Sequence, residues 1–133
     1  HVDGTGVRMA TFPCKGLFDP RSYPAIAVAC DEIAALRNAP AMHAMLNWLP
    51  AQSSVPKHID PYPGNRRVER WHLPIVVNPG CWIWQEGQGS VIPVAGMWMG
   101  PVYYWRLHQV GNDGDVPRLH LVVDLDKETT CCF

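Results

Sequence analysis

The chain has 133 residues, of which 47% are hydrophobic and 17% charged, a balance typical of one folded domain that excludes a disordered or fibrous chain. Eleven basic and twelve acidic residues give a net charge of -1, so no positive field attracts phosphates and nucleic acid is not an expected partner. No apolar run reaches the roughly 20 residues of a membrane helix, so no membrane span is expected.

The ends of the chain and its cysteines give a coarse organisation. The five cysteines are odd in number and show no C-x-x-C spacing, which favours a reducing, cytoplasmic location over a disulfide framework or a zinc finger. The chain opens on His1 and not on Met, so residues 1–8 are expected to be non-native residues ahead of a start at Met9. A single domain is expected, with a helical cap over 9–54, a β-roll over 55–125 and a tail over 126–133.

Two helices are predicted in the cap. In the segment from Pro24 to Arg37, apolar residues recur at helical spacing on one face, and Pro24 suits the first turn of a helix. A shorter helix is predicted from Met42 to Leu49.

From Val55 onward the sequence consists of short runs rich in Val, Ile, Trp and Tyr, separated by turn segments such as PYPGN and GNDGD. This pattern predicts an antiparallel meander or double-sheet roll with strands at 55–59, 68–77, 81–85, 90–94, 102–108 and 118–125. A complete roll has about eight strands. The missing strands are expected in Thr11 to Tyr23 or in Met97 to Gly100, or are supplied by a second subunit in a homodimer.

Three residues of the β region have the chemistry of a metal site. His58 and Asp60 are two residues apart, so in an extended strand both side chains leave the same face. His108, near the end of a later predicted strand, is the candidate third ligand. Two histidines and one carboxylate on one face of a metal form the ligand set of non-haem Fe(II) oxygenases. The H-x-D tripeptide alone is weak evidence, because such residues beside a turn more often form caps or hydrogen bonds.

A fixed charge opens the last predicted strand. Arg118 precedes the apolar run LHLVVDL, and a buried guanidinium needs an anionic partner. That partner is either a bound anion or an acidic residue of the adjoining turn, Asp113 or Asp115.

These residues lie within a longer series of motifs: HID at 58–60, RWHLP at 70–74, NPG at 78–80, HQVGN at 108–112 and RLHLVVD at 118–124. Their types, order and spacing resemble the aspartyl/asparaginyl β-hydroxylase family of 2-oxoglutarate-dependent oxygenases. The resemblance covers about residues 55–125 and does not extend to the N-terminal part.

The resemblance implies a mainly β fold, a double-stranded β-helix or cupin-like jelly roll with N-terminal helices. It implies Fe(II) held by His58, Asp60 and His108, and Arg118 as the anchor of the far carboxylate of 2-oxoglutarate, with O2 as the other cosubstrate. Arg70 and His72 alternate onto one face of their strand, and the resemblance implies that they point towards the iron and contact either the near carboxylate of 2-oxoglutarate or a substrate carboxylate.

The implied activity is hydroxylation of an amino acid, free or as an aspartyl or asparaginyl residue of a peptide or protein. The alternative is a cupin-type binding or regulatory module that holds a metal without turnover, since a fold does not guarantee an activity. The presence of Arg118 favours the enzyme, because a pure metal-binding module needs no anchor for 2-oxoglutarate.

Other residues keep two interpretations. Most of the six tryptophans are expected in the core, with Trp98 and Trp105 as candidates for the substrate mouth. Arg66, Arg67 and Arg70 form a basic cluster that either receives an acidic substrate or is a solvated strand edge. His120 shares a strand face with Arg118 and either supports the site or belongs to the core, and Asp124 is given no role.

Overall fold

The computed structural model describes residues 8–13, 23–60, 67–103 and 105–128, the first of these ranges by its backbone alone. These ranges contain one helix and nine strands: β1 (Arg8–Pro13), α1 (Pro24–Arg37), β2 (Ala41–Leu49), β3 (Ser53–His58), β4 (Val68–Val76), β5 (Cys81–Gln85), β6 (Gly89–Val91), β7 (Met99–Val102), β8 (His108–Asn112) and β9 (Arg118–Asp126). The strands form two antiparallel sheets, in the orders β1-β2-β9-β4-β7 and β3-β8-β5-β6. The architecture is the mainly β jelly roll that the sequence predicts.

The five-stranded sheet has two buried faces. Along its central strand β9, alternate residues point to opposite sides of the sheet. One side contributes Leu121, Val123 and Leu125 to the hydrophobic core, where Cys30 and Ile33 of α1 pack against them. The other side carries Arg118, His120, Val122 and Asp124 into the space between the two sheets, and this polar inner face builds the candidate site.

The predicted helix from Pro24 to Arg37 is confirmed with the same bounds. It begins on Pro24 and ends at Asn38, whose left-handed backbone (φ 51°) stops the helix and whose N–H bonds to the carbonyls of Ala34 and Ala35. Asparagine tolerates this conformation better than most residues, which explains the sharp end.

The second predicted helix, Met42 to Leu49, is wrong, and so is the description of 9–54 as a helical cap. This segment is strand β2, which pairs with β1 on one side and β9 on the other. Its Ala, Met and Leu content favours a helix locally, but two ladders of interstrand hydrogen bonds and burial of Ala44 and Leu49 determine the structure. The sequence predicts more than one N-terminal helix, but among the described residues α1 is the one α-helix.

One of the strand predictions in the β region differs from the structure. The predicted strand 102–108 is wrong: β7 ends at Val102 and β8 begins at His108, so the described residues between them form a connection and not a strand. The additional strand predicted near Met97 to Gly100 is confirmed as β7, and β1 overlaps the start of the segment Thr11 to Tyr23, of which 14–22 lie outside the described residues. In the described ranges, no helix is long and apolar enough to cross a membrane.

Candidate metal centre and active-site cavity

Two strands of the four-stranded sheet bring the predicted ligands together. His58 at the end of β3 and His108 at the start of β8 are direct cross-strand partners, and Asp60 follows two residues after His58. His58 Nε2 lies 3.1 Å from Asp60 Oδ1, and His108 Nε2 lies 3.1 Å from Asp60 Oδ2. Ligand atoms of the three residues all lie within 4.8 Å of one another, so one ion can contact all three.

Backbone carbonyl groups fix both histidine rings. His58 Nδ1 lies 2.7 Å from the carbonyl oxygen of Pro56, and His108 Nδ1 lies 2.8 Å from that of Arg106. A carbonyl oxygen only accepts, so each Nδ1 donates its proton. A neutral ring then has its lone pair on Nε2, where a metal ion can bind, whereas only a protonated ring donates from Nε2 as well. In both rings Nε2 is the atom that faces Asp60. This is the hydrogen-bonding pattern that orients histidine ligands in metal sites.

The cluster also perturbs its own protonation. Burial acts to raise the pKa of Asp60, but the hydrogen bond from His108 and the nearby charges of Arg70 and the histidines outweigh it, and this pKa lies below its ordinary value. Burial acts to lower the pKa of His108, but its bonds to Asp60 and to the Arg106 carbonyl outweigh burial and raise it. The carboxylate is therefore kept ionised, as a metal ligand must be.

A cavity of about 310 Å³ opens beside these ligands, between the two sheets. Residues of both sheets line it, and its walls combine the three candidate ligands with apolar side chains and two arginines: Met45, Asn47, Val55, His58, Asp60, Arg70, His72, Val102, His108, Val110, Arg118 and Val122. The cavity is large enough for a small organic anion beside a metal ion.

Arg118 is the largest fully buried side chain of the described residues, with 1% of its surface exposed. One terminal nitrogen donates to Asn47 Oδ1 at 2.6 Å, while Nε and the other terminal nitrogen have no hydrogen-bond partner in the described parts of the chain. Burial lowers its pKa from 12.5 to about 10. Its ion pair with Asp113 or Asp115, the alternative from the sequence, is not formed in the structure. A buried guanidinium with two free donors, in the wall of a cavity, fits a carboxylate ligand.

His72 and His120 form a neutral pair in the same inner layer. Their Nδ1 atoms lie 3.1 Å apart, so one donates and the other accepts. Burial lowers the pKa of His120 to about 2 and that of His72 well below its usual 6.5, and in both rings the nearby Arg118 charge adds to the effect. His72 lines the cavity, whereas His120 is fully buried behind it.

Arg70, predicted to contact 2-oxoglutarate or substrate, lines the cavity and is bonded to two carboxylates of the protein. Its Nε and one terminal nitrogen donate to the two oxygens of Asp124 at 2.7 and 2.9 Å, and its other terminal nitrogen donates to Asp60 Oδ2 at 2.9 Å. His43 Nε2 lies 3.2 Å from Asp124 Oδ2. Sequence reasoning missed Asp124 and His43, although Asp124 continues the even-numbered inner series of β9 that begins at Arg118.

The remaining sequence candidates lie away from the cavity. Trp98 donates to Glu32 of α1 and packs against the core, and Trp105 is 49% exposed and stacks on Tyr103. Arg67 lies beside Glu128, which accepts its backbone N–H, and Arg66 is outside the described residues. The basic cluster is therefore not assembled at the site: of its described members, only Arg70 lines the cavity.

Fold and site together define a cupin-type barrel protein with a candidate metal centre. Similar solved structures include a cupin 2 conserved barrel domain protein from Salinispora arenicola (15% identity, TM-score 0.56, covering 96% of this chain and 82% of that one). A prolyl-4-hydroxylase from Pseudomonas putida is also similar (15% identity, TM-score 0.59, covering 91% and 72%), as is a predicted oxalate decarboxylase from Thermotoga maritima (18% identity, TM-score 0.54, covering 90% and 80%). At such identities the likeness concerns the fold alone.

The family model of aspartyl/asparaginyl beta-hydroxylases matches residues 19–128. The chain belongs to this family, and membership indicates a hydroxylase-type function. The search of curated proteins finds no significant match.

Proposed function

We propose that the protein is an Fe(II)- and 2-oxoglutarate-dependent dioxygenase that hydroxylates an amino acid, free or within a peptide. One observation carries the proposal: the buried, incompletely paired guanidinium of Arg118 and the His58, Asp60 and His108 cluster line the same cavity. A cluster of candidate metal ligands alone fits many functions. Such a cluster beside a buried, incompletely paired guanidinium fits a carboxylic acid that binds the metal.

The residues present fit both groups. Two imidazole Nε2 atoms and one carboxylate form the donor set typical of non-haem Fe(II), and all three residues line the cavity. The planar fork of Arg118 matches a carboxylate with two parallel hydrogen bonds. Bound Fe(II) would supply the activation of O2 that couples decarboxylation of 2-oxoglutarate to hydroxylation of the substrate.

Charge balance supports the same pair of groups. The inner layer holds two arginines, Arg70 and Arg118, and two carboxylates, Asp60 and Asp124, so its formal charge is zero while the histidines are neutral. A divalent metal adds two positive charges, and dianionic 2-oxoglutarate cancels them. The occupied cavity then carries no net charge, which avoids the large cost of an unbalanced charge in a buried site.

The rest of the lining limits water. Val55, Val102, Val110, Val122 and Met45 present apolar surface to the cavity. They strengthen the electrostatic interactions inside it and keep the oxidising chemistry away from bulk solvent. His72, also in the lining, is a further polar group that can contact the second end of 2-oxoglutarate or the substrate.

The non-catalytic cupin-type module is the weaker alternative, because metal binding alone leaves the Arg118 nitrogens without a counter-charge. The proposed substrate, an amino acid or an aspartyl or asparaginyl residue, is supported by membership of the aspartyl/asparaginyl beta-hydroxylase family and by the modest size of the cavity. The predicted cytoplasmic location stays a proposal, which rests on the odd number of cysteines and the lack of C-x-x-C spacing in the sequence.

The test is succinate formation from 2-oxoglutarate under air with Fe(II), screened with amino acids and short aspartyl and asparaginyl peptides. The wild-type protein should form succinate and a hydroxylated product. H108A should form neither, because it lacks a ligand, whereas the matched control Q109A, on the same strand but facing a surface groove away from the cavity, should retain activity. Equal turnover in H108A and wild type would refute the proposal, and no succinate with any substrate would favour the non-catalytic module.

A further inference from the structure

Asp124 has no solvent exposure, although it is an acidic residue. It lies on β9 directly across from Arg70 on β4 and from His43 on β2, so three neighbouring strands place the three side chains in one row. This row lies on the side of the five-stranded sheet that faces the other sheet, next to the candidate metal ligands His58, Asp60 and His108. A buried carboxylate needs partners that offset the cost of its desolvation, and Arg70 and His43 provide them here.

The Arg70 guanidinium connects Asp124 to Asp60, one of the three candidate metal ligands. Its Nε and one terminal nitrogen bind Asp124 at 2.7 and 2.9 Å, a two-pronged contact that fixes the plane of the guanidinium. In that plane the remaining terminal nitrogen donates to Asp60 Oδ2 at 2.9 Å. One rigid group therefore joins a buried carboxylate to the carboxylate of the candidate metal ligand.

We propose that Asp124 is a positioning residue, which acts through Arg70 to hold the Asp60 carboxylate in its ligating orientation. The inference rests on the metal site of the proposed function and not on its cosubstrate or substrate. Carboxylate ligands are commonly held by a hydrogen bond to an oxygen, and loss of such a partner typically weakens metal binding 10–100-fold.

Asp124 has a second effect on the site through its charge. Arg70 alone would put a positive charge within hydrogen-bond distance of a metal ligand and would oppose the binding of a divalent cation. The adjacent Asp124 carboxylate neutralises that charge while leaving the N–H donor to Asp60 in place. The pair thus supplies orientation to Asp60 without a net positive charge.

The test is the affinity for Co(II), measured by anaerobic titration, together with the visible absorption spectrum of bound Co(II), which reports ligand geometry. D124N should bind Co(II) about 10–100-fold more weakly than wild type, with an altered spectrum. R70K keeps the positive charge but loses the planar fork that reaches both carboxylates, so it should show the same kind of change. Because R70K leaves Asp124 with a cation, it tests the proposal even where D124N does not fold.

The matched control is E69Q. Glu69 is the neighbour of Arg70 on β4 but faces the other way, and it forms its own two-pronged contact with Arg37 at 2.6 and 3.2 Å. Its loss removes a comparable ion pair that does not contact the site, so Co(II) affinity should stay within twofold of wild type. Wild-type affinity and spectrum in D124N or R70K, or an equal loss in E69Q, would overturn the proposal.

Failure of this inference and failure of the proposed function give different results. A wild-type protein that binds no Co(II) would overturn both. A wild-type protein that binds Co(II) tightly but no 2-oxoglutarate would overturn the oxygenase proposal alone, and the comparison of D124N and R70K with E69Q would still decide the role of Asp124.

Discussion

Replacement of Arg118 by methionine should stabilise the ligand-free protein and abolish 2-oxoglutarate binding. The side chain is 1% exposed, two of its nitrogens lack partners in the described chain, and burial lowers its pKa from 12.5 to about 10. A fall of this size corresponds to roughly 3 kcal/mol of unfavourable free energy for the charged form in the folded state. Methionine has a similar length and no charge, so it removes this cost while still filling the space.

One favourable contact is lost with the guanidinium. The hydrogen bond to Asn47 at 2.6 Å contributes about 1 kcal/mol, which leaves an expected net gain of about 2 kcal/mol in the free energy of unfolding. For a typical urea dependence of about 2 kcal/mol per molar, the unfolding midpoint of R118M should rise by about 1 M with an unchanged slope.

The same unfolding assay reports binding. With Mn(II) present and 2-oxoglutarate at a hundred times its dissociation constant, the wild-type protein should gain about 2.7 kcal/mol from the ligand, whereas R118M should gain nothing. R37M is the matched control, because the Arg37 guanidinium is already paired with Glu69 at 2.6 Å and its loss should destabilise the fold. An R118M protein that is less stable than wild type, or that is stabilised by 2-oxoglutarate as wild type is, would refute the reasoning.

Two further predictions concern stability. Burial lowers the folded-state pKa of His120 to about 2, below its ordinary value of 6.5. Above pH 6.5 the ring is neutral in both states and the fold has its full stability. Below pH 6.5 the unfolded state takes up a proton that the folded state does not, so stability is lost as the pH falls. The loss should reach about 2 kcal/mol by pH 5, and H120N, compared with wild type by urea unfolding at pH 7 and pH 5, should show a correspondingly smaller loss; an identical pH dependence would contradict this. Gly111 lies against the indole of Trp82, its cross-strand partner, with no space for a Cβ, so G111A should displace Trp82, cost about 1–3 kcal/mol and change the tryptophan fluorescence. An unchanged spectrum and unfolding midpoint would show that this contact has no influence.

The sequence predicts the elements whose local pattern and tertiary environment agree. The α1 segment has one apolar face and meets one sheet, so its periodicity survives in the structure. The β2 segment has helix-forming residues but lies between two strands, and no local pattern reveals that its backbone will pair on both sides. Long-range pairing therefore decides its conformation.

The residues of the candidate site also differ in whether a local sequence pattern reveals them or only long-range strand pairing brings them together. Arg118 stands out in the sequence because a charge opens an apolar strand, and His58 and Asp60 stand out because their spacing puts them near one another. Asp124 could not be assigned, because its partner Arg70 is 54 residues away and meets it only through the register of β4 on β9. Reading alternate residues along β9 from Arg118 would have placed Asp124 on the inner face, but not beside Arg70.

The central question for this protein is whether one cavity holds both Fe(II) and 2-oxoglutarate. Anaerobic titration of the metal-free protein with Fe(II) and then with 2-oxoglutarate should give one Fe(II) per chain, followed by the weak visible charge-transfer band of 2-oxoglutarate chelated to iron. The band should be absent in H108A and in R118M. Iron binding without the band in the wild-type protein would contradict the oxygenase function, and no iron binding would contradict the metal site itself.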